Sequence, residues 1–579
     1  MESVLRGIGV SPGIAIGPAL IFSKSRWEAP CYEITDPGAE MGRFNAALEN
    51  ARRELKTLHA QARENLGDSH ADIFKAHLLV LDDVVLLEEV GREVAGTRKN
   101  AEHVLEKIAD RYARALESVE DARFRERAAD LLDVADRVLG HLLNMQRPDL
   151  KALARPCVVL AHDLSPSDTA TMDLDNTLGI AVEVGSATSH SAILARALEI
   201  PAVMGVQHAL ARAATGAAVV VDGSEGVVVL DPSEETLARY RRAQLEYEAR
   251  QAVLLGAESG PAHTRDGVRV TVEANIELPI EIPHSLKAHA EGIGLYRTEY
   301  LFLDRNEVPT EEEQHAAYLQ AAEALHPLPV TLRTMDIGGD KLVEHLQIFK
   351  EENPQLGWRA VRFCLARPEI FKAQLRAMLR ASVRGNIRIM FPMISGVNEL
   401  RAVKAVVAEV CAELDAAGTA YDHGIKIGSM IEVPSAVMMA DSIAAECDFF
   451  SIGTNDLIQY SLAVDRKNEK IAYLYEPAHP AVLRMIARVA EAARSRGIPC
   501  GICGEMAGDP LYTEILLGLG VTSLSMSPIS LPVVRAEIAL INLGEARVFA
   551  AEMLTKPTAG EISGQLRQRR EARAPERNA

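Results

Sequence analysis

Residues 425–456 read IKIGSMIEVPSAVMMADSIAAECDFFSIGTND. Two short apolar runs, at 425–434 and 449–456, stand about one helix apart. Strands buried on both faces are near-continuous apolar runs of this kind, as in a parallel sheet. Each run turns polar where it ends: the first on Glu432, the second on Asn455 and Asp456. Six more runs share the pattern: VRVTVEANI from Val268, GIGLYRTEYLF from Gly292, VTLRTMDIGG from Val330, IRIMFPMI from Ile387, PCGICGEM from Pro499 and SLSMSP from Ser523. Eight β–α units over roughly 300 residues predict a (β/α)8 barrel across 261–560, whose reactive groups gather at the C-terminal ends of its strands.

The texture upstream differs. Residues 1–22 carry short β-like runs broken by Gly and Pro, and the same texture returns from Cys157 in CVVLA, TLGIAVEV, AAVVVDG and GVVVLDP. Between Pro37 and Pro148 there is no proline, and apolar residues such as Leu105, Ile108, Tyr112 and Leu116 recur at helical spacing. The fold class is therefore α/β. An α/β domain from 1–22 and 145–231 holds an α-helical subdomain at 23–144. A polar helical linker follows at 232–260, then the barrel, and a flexible basic tail at 561–579.

Composition bounds the function. The chain has 579 residues, 48% of them apolar and 25% charged, which is ordinary for a globular protein. The net charge of −19 argues against non-specific nucleic-acid binding. No signal peptide or membrane span is read from the sequence, and seven irregularly spaced cysteines do not resemble a disulfide framework. The expectation is a cytoplasmic protein.

The strand ends of the barrel carry Arg297, Arg333 followed by Asp336, Glu432, Asn455 and Asp456, with Arg466 ten residues on and Cys503 at the seventh strand. An arginine fork matches phosphate and carboxylate oxygens. Two carboxylates such as Glu432 and Asp456 can hold Mg2+. Any one of these arginines alone would pass for a surface ion-pair partner; four strand ends bearing such groups argue for a site. Lys341 alone reads as a solvated loop lysine. Cys500-Gly-Ile-Cys503 lacks the second pair a zinc site needs, and i, i+3 in a strand face opposite ways. Cys503 is then either an inert buried thiol or a proton donor, and spacing does not decide between them. His190 opens an apolar helix after a Gly/Ser/Thr turn. It is either a polar surface residue or a phosphoryl acceptor at a helix N-terminus.

Taken together, TSHSAILARALEIPAVMG, GLYRTEYLF, RTMDIGGDK, NPQLGWRAVR, FFSIGTNDLIQYSLAVDR and CGEMAGDP resemble the PEP-utilising phosphotransferases, specifically the enzyme I family of the bacterial sugar phosphotransferase system. GVSPGIAIGPA and ERAADLLDVADRVL extend the resemblance over about residues 4–555. It implies a swivelling phosphohistidine domain with an inserted helical subdomain that docks the carrier HPr, and a PEP-binding barrel that also forms a homodimer. His190 would be phosphorylated from phosphoenolpyruvate and Cys503 would protonate the enolate to pyruvate. Arg297, Arg333, Asn455, Asp456, Arg466 and Arg359 would bind PEP, with Glu432 and Asp456 on Mg2+. Thr169 and Lys341 would support these groups. One departure is Gly185-Ser186-Ala187, where the family commonly has Gly-Gly and a basic residue. Competing readings are the nitrogen-regulatory paralogue, which commonly carries an extra sensor domain, and PEP synthase or pyruvate phosphate dikinase, which need an ATP-binding domain. A non-catalytic PEP-binding regulator is the rival from another class.

Overall fold

The structure is a computed structural model. It describes residues 2–22, 29–66, 77–78, 80–117, 122–143, 150, 153, 155–164, 168, 172–185, 190–255, 260–302, 308–337, 351, 353–466, 468 and 470–573. Two compact units divide the chain, Met1–Ala249 and Arg250–Ala579.

The first unit is built on an eight-stranded sheet. Its strands are β1 (Ser3–Arg6), β2 (Ile8–Ser11), β3 (Ile14–Phe22), β4 (Cys157–Ala161), β5 (Thr177–Val182), β6 (Ala202–Met204), β7 (Ala218–Asp222) and β8 (Val227–Leu230), in the order β1-β8-β7-β3-β4-β5-β6-β2. Ala19 to Phe22 of β3 pair in parallel with Val158 to Ala161 of β4, so strands far apart in sequence are neighbours in space. The chain between them forms helices Pro37–Leu66, Val84–Thr97, Ala101–Glu117 and Ala122–Leu143. These bury a core of their own, including Phe44, Leu55, Val90, Leu105 and Val138, so the insert is an independent layer and not a cover for the sheet. The Val84–Thr97 helix starts where Asp83 accepts hydrogen bonds from the backbone of Val85 at 2.9 Å and Leu86 at 3.1 Å, a side-chain cap on its free N–H groups.

A helix runs Glu234–Leu255 with Glu234 and Glu235 in its first turn, where the helix dipole favours negative charge. The boundary between the two units falls within it.

The second unit is the barrel. β10 (Arg269–Ile276), β11 (Ile293–Arg297), β12 (Val330–Arg333), β13 (Ile387–Phe391), β14 (Lys426–Ile431), β15 (Phe449–Ile452), β16 (Cys500–Ile502) and β17 (Ser523–Met526) are all parallel, and β10 pairs with both β11 and β17 to close the ring. The short β9 (Ala262–His263) pairs antiparallel with β10 outside the ring. The eight runs read from the sequence are these eight strands. Period-two alternation splits each strand between two environments. Val272, Ile389, Phe450, Cys500 and Ile502 join the large core under the helices, while Leu295, Met390, Met430, Phe449 and Cys503 form a small separate cluster. Cys500 and Cys503 thus lie in different clusters, and both are free thiols.

The C-terminus corrects one expectation. In place of a flexible basic tail from 561, residues Ala559–Ala572 are helical, capped by Thr558, and Ile562 and Leu566 are buried in the main core. Reading the arginines as solvated missed the apolar face Ala559, Ile562, Leu566 that lies between them. The arginines also have partners. Arg569 and Arg573 reach the buried Glu514 at 2.7 and 2.8 Å, and Arg573 lies 3.5 Å from the buried Glu537. A buried carboxylate stripped of its partners costs about 3–5 kcal/mol. The double variant Arg569→Ala/Arg573→Ala should therefore lower the melting temperature of the barrel by several degrees in scanning calorimetry. Arg494→Ala, which removes one exposed i, i+3 pair, should leave it unchanged.

Candidate active site at the barrel mouth

The polar strand ends converge where β12, β14 and β15 finish. Arg333, the last residue of β12, donates to Glu299 at 3.0 Å and to Asp336 at 3.0 Å. Arg359 closes on Asp336 from the other side at 2.7 Å and reaches Asp456 at 3.4 Å. The Arg359 fork also donates to Gln355 Oε1 and, at 3.2 Å, to the Tyr460 hydroxyl oxygen. Glu432, one residue beyond β14, accepts the Met393 N–H at 2.6 Å. The result is an alternating chain of charges, Glu299–Arg333–Asp336–Arg359–Asp456, almost entirely out of water. Arg333 keeps one buried donor, Nε, with no partner among the described residues.

Carboxylate oxygens of Asp336, Glu432 and Asp456 all lie within 4.8 Å of one another. Burial, then repulsion from Asp456 and Asp336, pushes Glu432 well above the usual carboxylate range. Burial alone would raise Asp336 too, but Arg359 and Arg333 outweigh it and hold that carboxyl low. Three hard oxygen donors in one buried spot fit a divalent cation such as Mg2+ or Mn2+, which would relieve the repulsion on Glu432. The donor set therefore fits a metal, and Asp336 joins the two carboxylates picked out from the sequence.

The other residues line up around this centre. Arg297, at the end of β11, pairs with Glu277. Asn455 accepts the Glu505 N–H at 2.9 Å, and both Asn455 and Arg466 lie 3.4 Å from the Glu505 carboxylate, on the exposed side of the mouth. Cys503 is buried just past β16, its N–H bonded to Ile452 O at 3.1 Å. Burial pushes its thiol up to about 11. In the first unit, His190 is the first residue of the His190–Ala197 helix, whose Ser191, Ala192, Leu194 and Ala195 are buried. Thr169, Ser186, Ala187 and Lys341 lie outside the described residues.

Three acidic groups were not singled out from the sequence as site residues: Asp336, Glu299 and Glu277. The signal was present, because buried arginines require counter-charges. Glu299 stands two residues after Arg297 and Asp336 three after Arg333. Beneath them, Gln374 is fully buried. It accepts the Met335 N–H at 2.9 Å and donates to Thr298 Oγ1 at 3.1 Å, tying the ends of β11 and β12 together.

Comparison with known proteins fits this picture. Models of the PEP-utilising enzymes match at 6–127 (N-terminal), 153–226 (mobile domain) and 254–543 (PEP-binding domain). A phosphoenolpyruvate-protein phosphotransferase of Bacillus sp. (strain S) is 45% identical over 561 residues, 97% of either chain. The chain belongs to the phosphoenolpyruvate-protein phosphotransferase family. Other members are those of Bacillus subtilis, 44% identical over 558 residues and covering 96% of this chain and 98% of that one, and Haemophilus influenzae, 42% identical over 561 residues with the same coverage. The solution structure of an Enzyme I protein aligns at 38% identity with 42% of this chain and 99% of its own, with a TM-score of 0.37. Among the described residues no helix is long and apolar enough to cross a membrane.

Gly453 connects this geometry to a test. A Cβ there would lie 2.5 Å from Glu432 Oε2, so only glycine lets β15 pass this carboxylate. Gly453→Ala should weaken Mn2+ binding by about 10–100-fold, the usual effect of disturbing the groups that orient a metal ligand. Titration calorimetry checks this, with unfolding of the barrel shifted far less.

Proposed function

We propose that this chain takes the phosphoryl group of phosphoenolpyruvate onto His190, passes it to an HPr-type carrier protein and releases pyruvate, the first step of phosphotransferase-dependent sugar uptake. The observation that carries this reading is the set of three clustered carboxylates at a barrel mouth, one of them bridging Arg333 and Arg359, in a chain 45% identical over 97% of its length to a phosphoenolpyruvate-protein phosphotransferase.

The residues divide the work by chemistry. Arg297, Arg333 and Arg466 supply positive charge for a small substrate bearing both phosphate and carboxylate, and Asn455 supplies an amide donor. Arg359 holds Asp336 and Asp456 in place. Glu432 and Asp456, with Asp336, would hold Mg2+, which supplies charge neutralisation for the phosphoryl group. A His190 ring nitrogen attacks phosphorus as the bond from phosphorus to the enol oxygen breaks. The electron pair on that oxygen leaves as enolate, and the enolate C3 takes the Cys503 S–H proton to give pyruvate. A thiol lifted to about 11 carries its proton at neutral pH, as a general acid must.

His190 thus faces two partners in turn. The helical subdomain is the surface we assign to the carrier, the Glu234–Leu255 helix the connection across which the phosphohistidine unit moves, and Thr169 and Lys341 supporting groups. The family resemblance further implies a cytoplasmic homodimer joined through the barrel.

Radiolabelled phosphoenolpyruvate with Mg2+ should label the wild-type chain and leave His190→Ala unlabelled; label on the variant would sink the assignment. Cys503→Ala should slow pyruvate turnover more than it weakens PEP binding, and an unchanged rate would remove its role as acid.

A further inference from the structure

An acid that delivers a proton to carbon has to meet it at one angle and distance, and a misplacement of about 1 Å can cost about 100-fold in rate. Cys503 stands just where its strand has ended. β16 stops at Ile502, which pairs with Ile452 of β15 on one side and Leu524 of β17 on the other. One residue further on, the Cys503 N–H still bonds to Ile452 O at 3.1 Å, and the thiol lies 3.7 Å from the same carbonyl. The Cys503 carbonyl is met from another direction: Asn275 Nδ2 donates to it at 2.9 Å.

Asn275 belongs to β10, two strands away, because β17 lies between β10 and β16. Val272, Ala274 and Ile276 join the large core under the helices, so Glu273 and Asn275 face the barrel interior. Ser525, between Leu524 and Met526 on β17, faces inward for the same reason. The Asn275 amide therefore spans β17 from the inside. Its Nδ2 also donates to Ser525 O at 3.3 Å, and its Oδ1 accepts the Ser525 hydroxyl at 2.5 Å. An asparagine amide has two N–H donors at one end and an acceptor oxygen at the other. Two carbonyls meet the nitrogen here and a hydroxyl meets the oxygen, so a flipped amide would set oxygen against oxygen.

A side chain that only closed the ring could stop at β17, which already pairs with β10 from Thr271 to Ala274. This one reaches past it to the residue that bears the thiol. Bonded at both its N–H and its C=O, Cys503 has its backbone torsions fixed, and with them the direction of its Cβ. The turn beyond has no room to slide, since a Cβ on Gly504 would lie 1.8 Å from Thr454 Oγ1.

We propose that Asn275 is a positioning residue for the proton transfer: by holding the Cys503 carbonyl it aims the thiol at C3 of the enolate. This rests on the reading of Cys503 as the acid that protonates the enolate. Asn275 itself gives and takes no proton. It acts through the backbone of Cys503, with Ser525 keeping the amide in its one orientation.

The full chain with Mg2+, phosphoenolpyruvate and excess HPr-type carrier tests this in a double-mutant cycle of Asn275→Ala and Cys503→Ala. Asn275→Ala should lower kcat for pyruvate by about tenfold and leave KM for PEP within about twofold, because the groups assigned to substrate binding are untouched. In the Cys503→Ala background the same substitution should cost less than about twofold, since no thiol is left to aim. Ser525→Ala leaves the amide in place but frees it to turn. It should give a smaller loss with the same pattern, and it carries the cycle should Asn275→Ala not fold. An equal loss in both backgrounds would make Asn275 a packing residue and overturn the proposal. An unchanged kcat in Asn275→Ala would overturn it too. Failure of the underlying reading looks different: Cys503→Ala would then turn over at the wild-type rate.

Discussion

The barrel mouth depends on one constraint. Arg333 and Arg359 are buried, and a buried guanidinium cannot shed its charge, so each needs carboxylates close by. Asp336 answers both, at 3.0 Å from Arg333 and 2.7 Å from Arg359. From that shared carboxylate the rest of the site takes its order. Arg359 reaches on to Asp456, Arg333 back to Glu299, and Glu299 in turn accepts the Asp336 N–H at 2.8 Å. Such a network adds little net stability compared with an apolar core, but breaking it is costly, so it fixes one arrangement of three loops. It leaves one carboxylate, Glu432, poorly compensated. A site where every charge was already matched would have little use for a cation; this one has an excess of negative charge at one point and, among the described residues, an Arg333 donor without a partner.

The same network explains why the glycine in SIGTND stands where it does. Glu432 has to lie flat against β15 to meet Asp456 and Asp336, and Gly453 is the gap that permits it. Here sequence, packing and chemistry are one statement: the strand run ends in Gly453 because the neighbouring strand ends in a carboxylate that must be buried.

The barrel could be read from the sequence because its strands are short apolar runs with polar ends, and a strand buried on both faces has few other ways to look. Arg333, Glu432 and Asp456 were legible for the same reason, as charges at the ends of such runs. Asp336 stood in view beside Arg333, and Glu299 lies in the short 3-10 turn Thr298–Leu301, but nothing in the local pattern marks either as the partner of a buried arginine. The Ala559–Ala572 helix was misread because its apolar face is three residues wide and its charged face is rich in arginine. Only the tertiary partners Glu514 and Glu537, 45 and 22 residues before Ala559 in the chain, make those arginines part of the fold.

The barrel interior has a gradient. At the mouth it is charged, at the level of Met390, Met430 and Phe449 it is apolar, and deeper in Glu273, Arg388, Ser523 and Ser525 share a small cavity with Phe449 and Phe450. An apolar layer keeps the charges of the mouth from solvent on the inner side, which strengthens every electrostatic contact there. The layering therefore serves the mouth: charges meant for an anionic substrate and a cation work best where water is kept out from below.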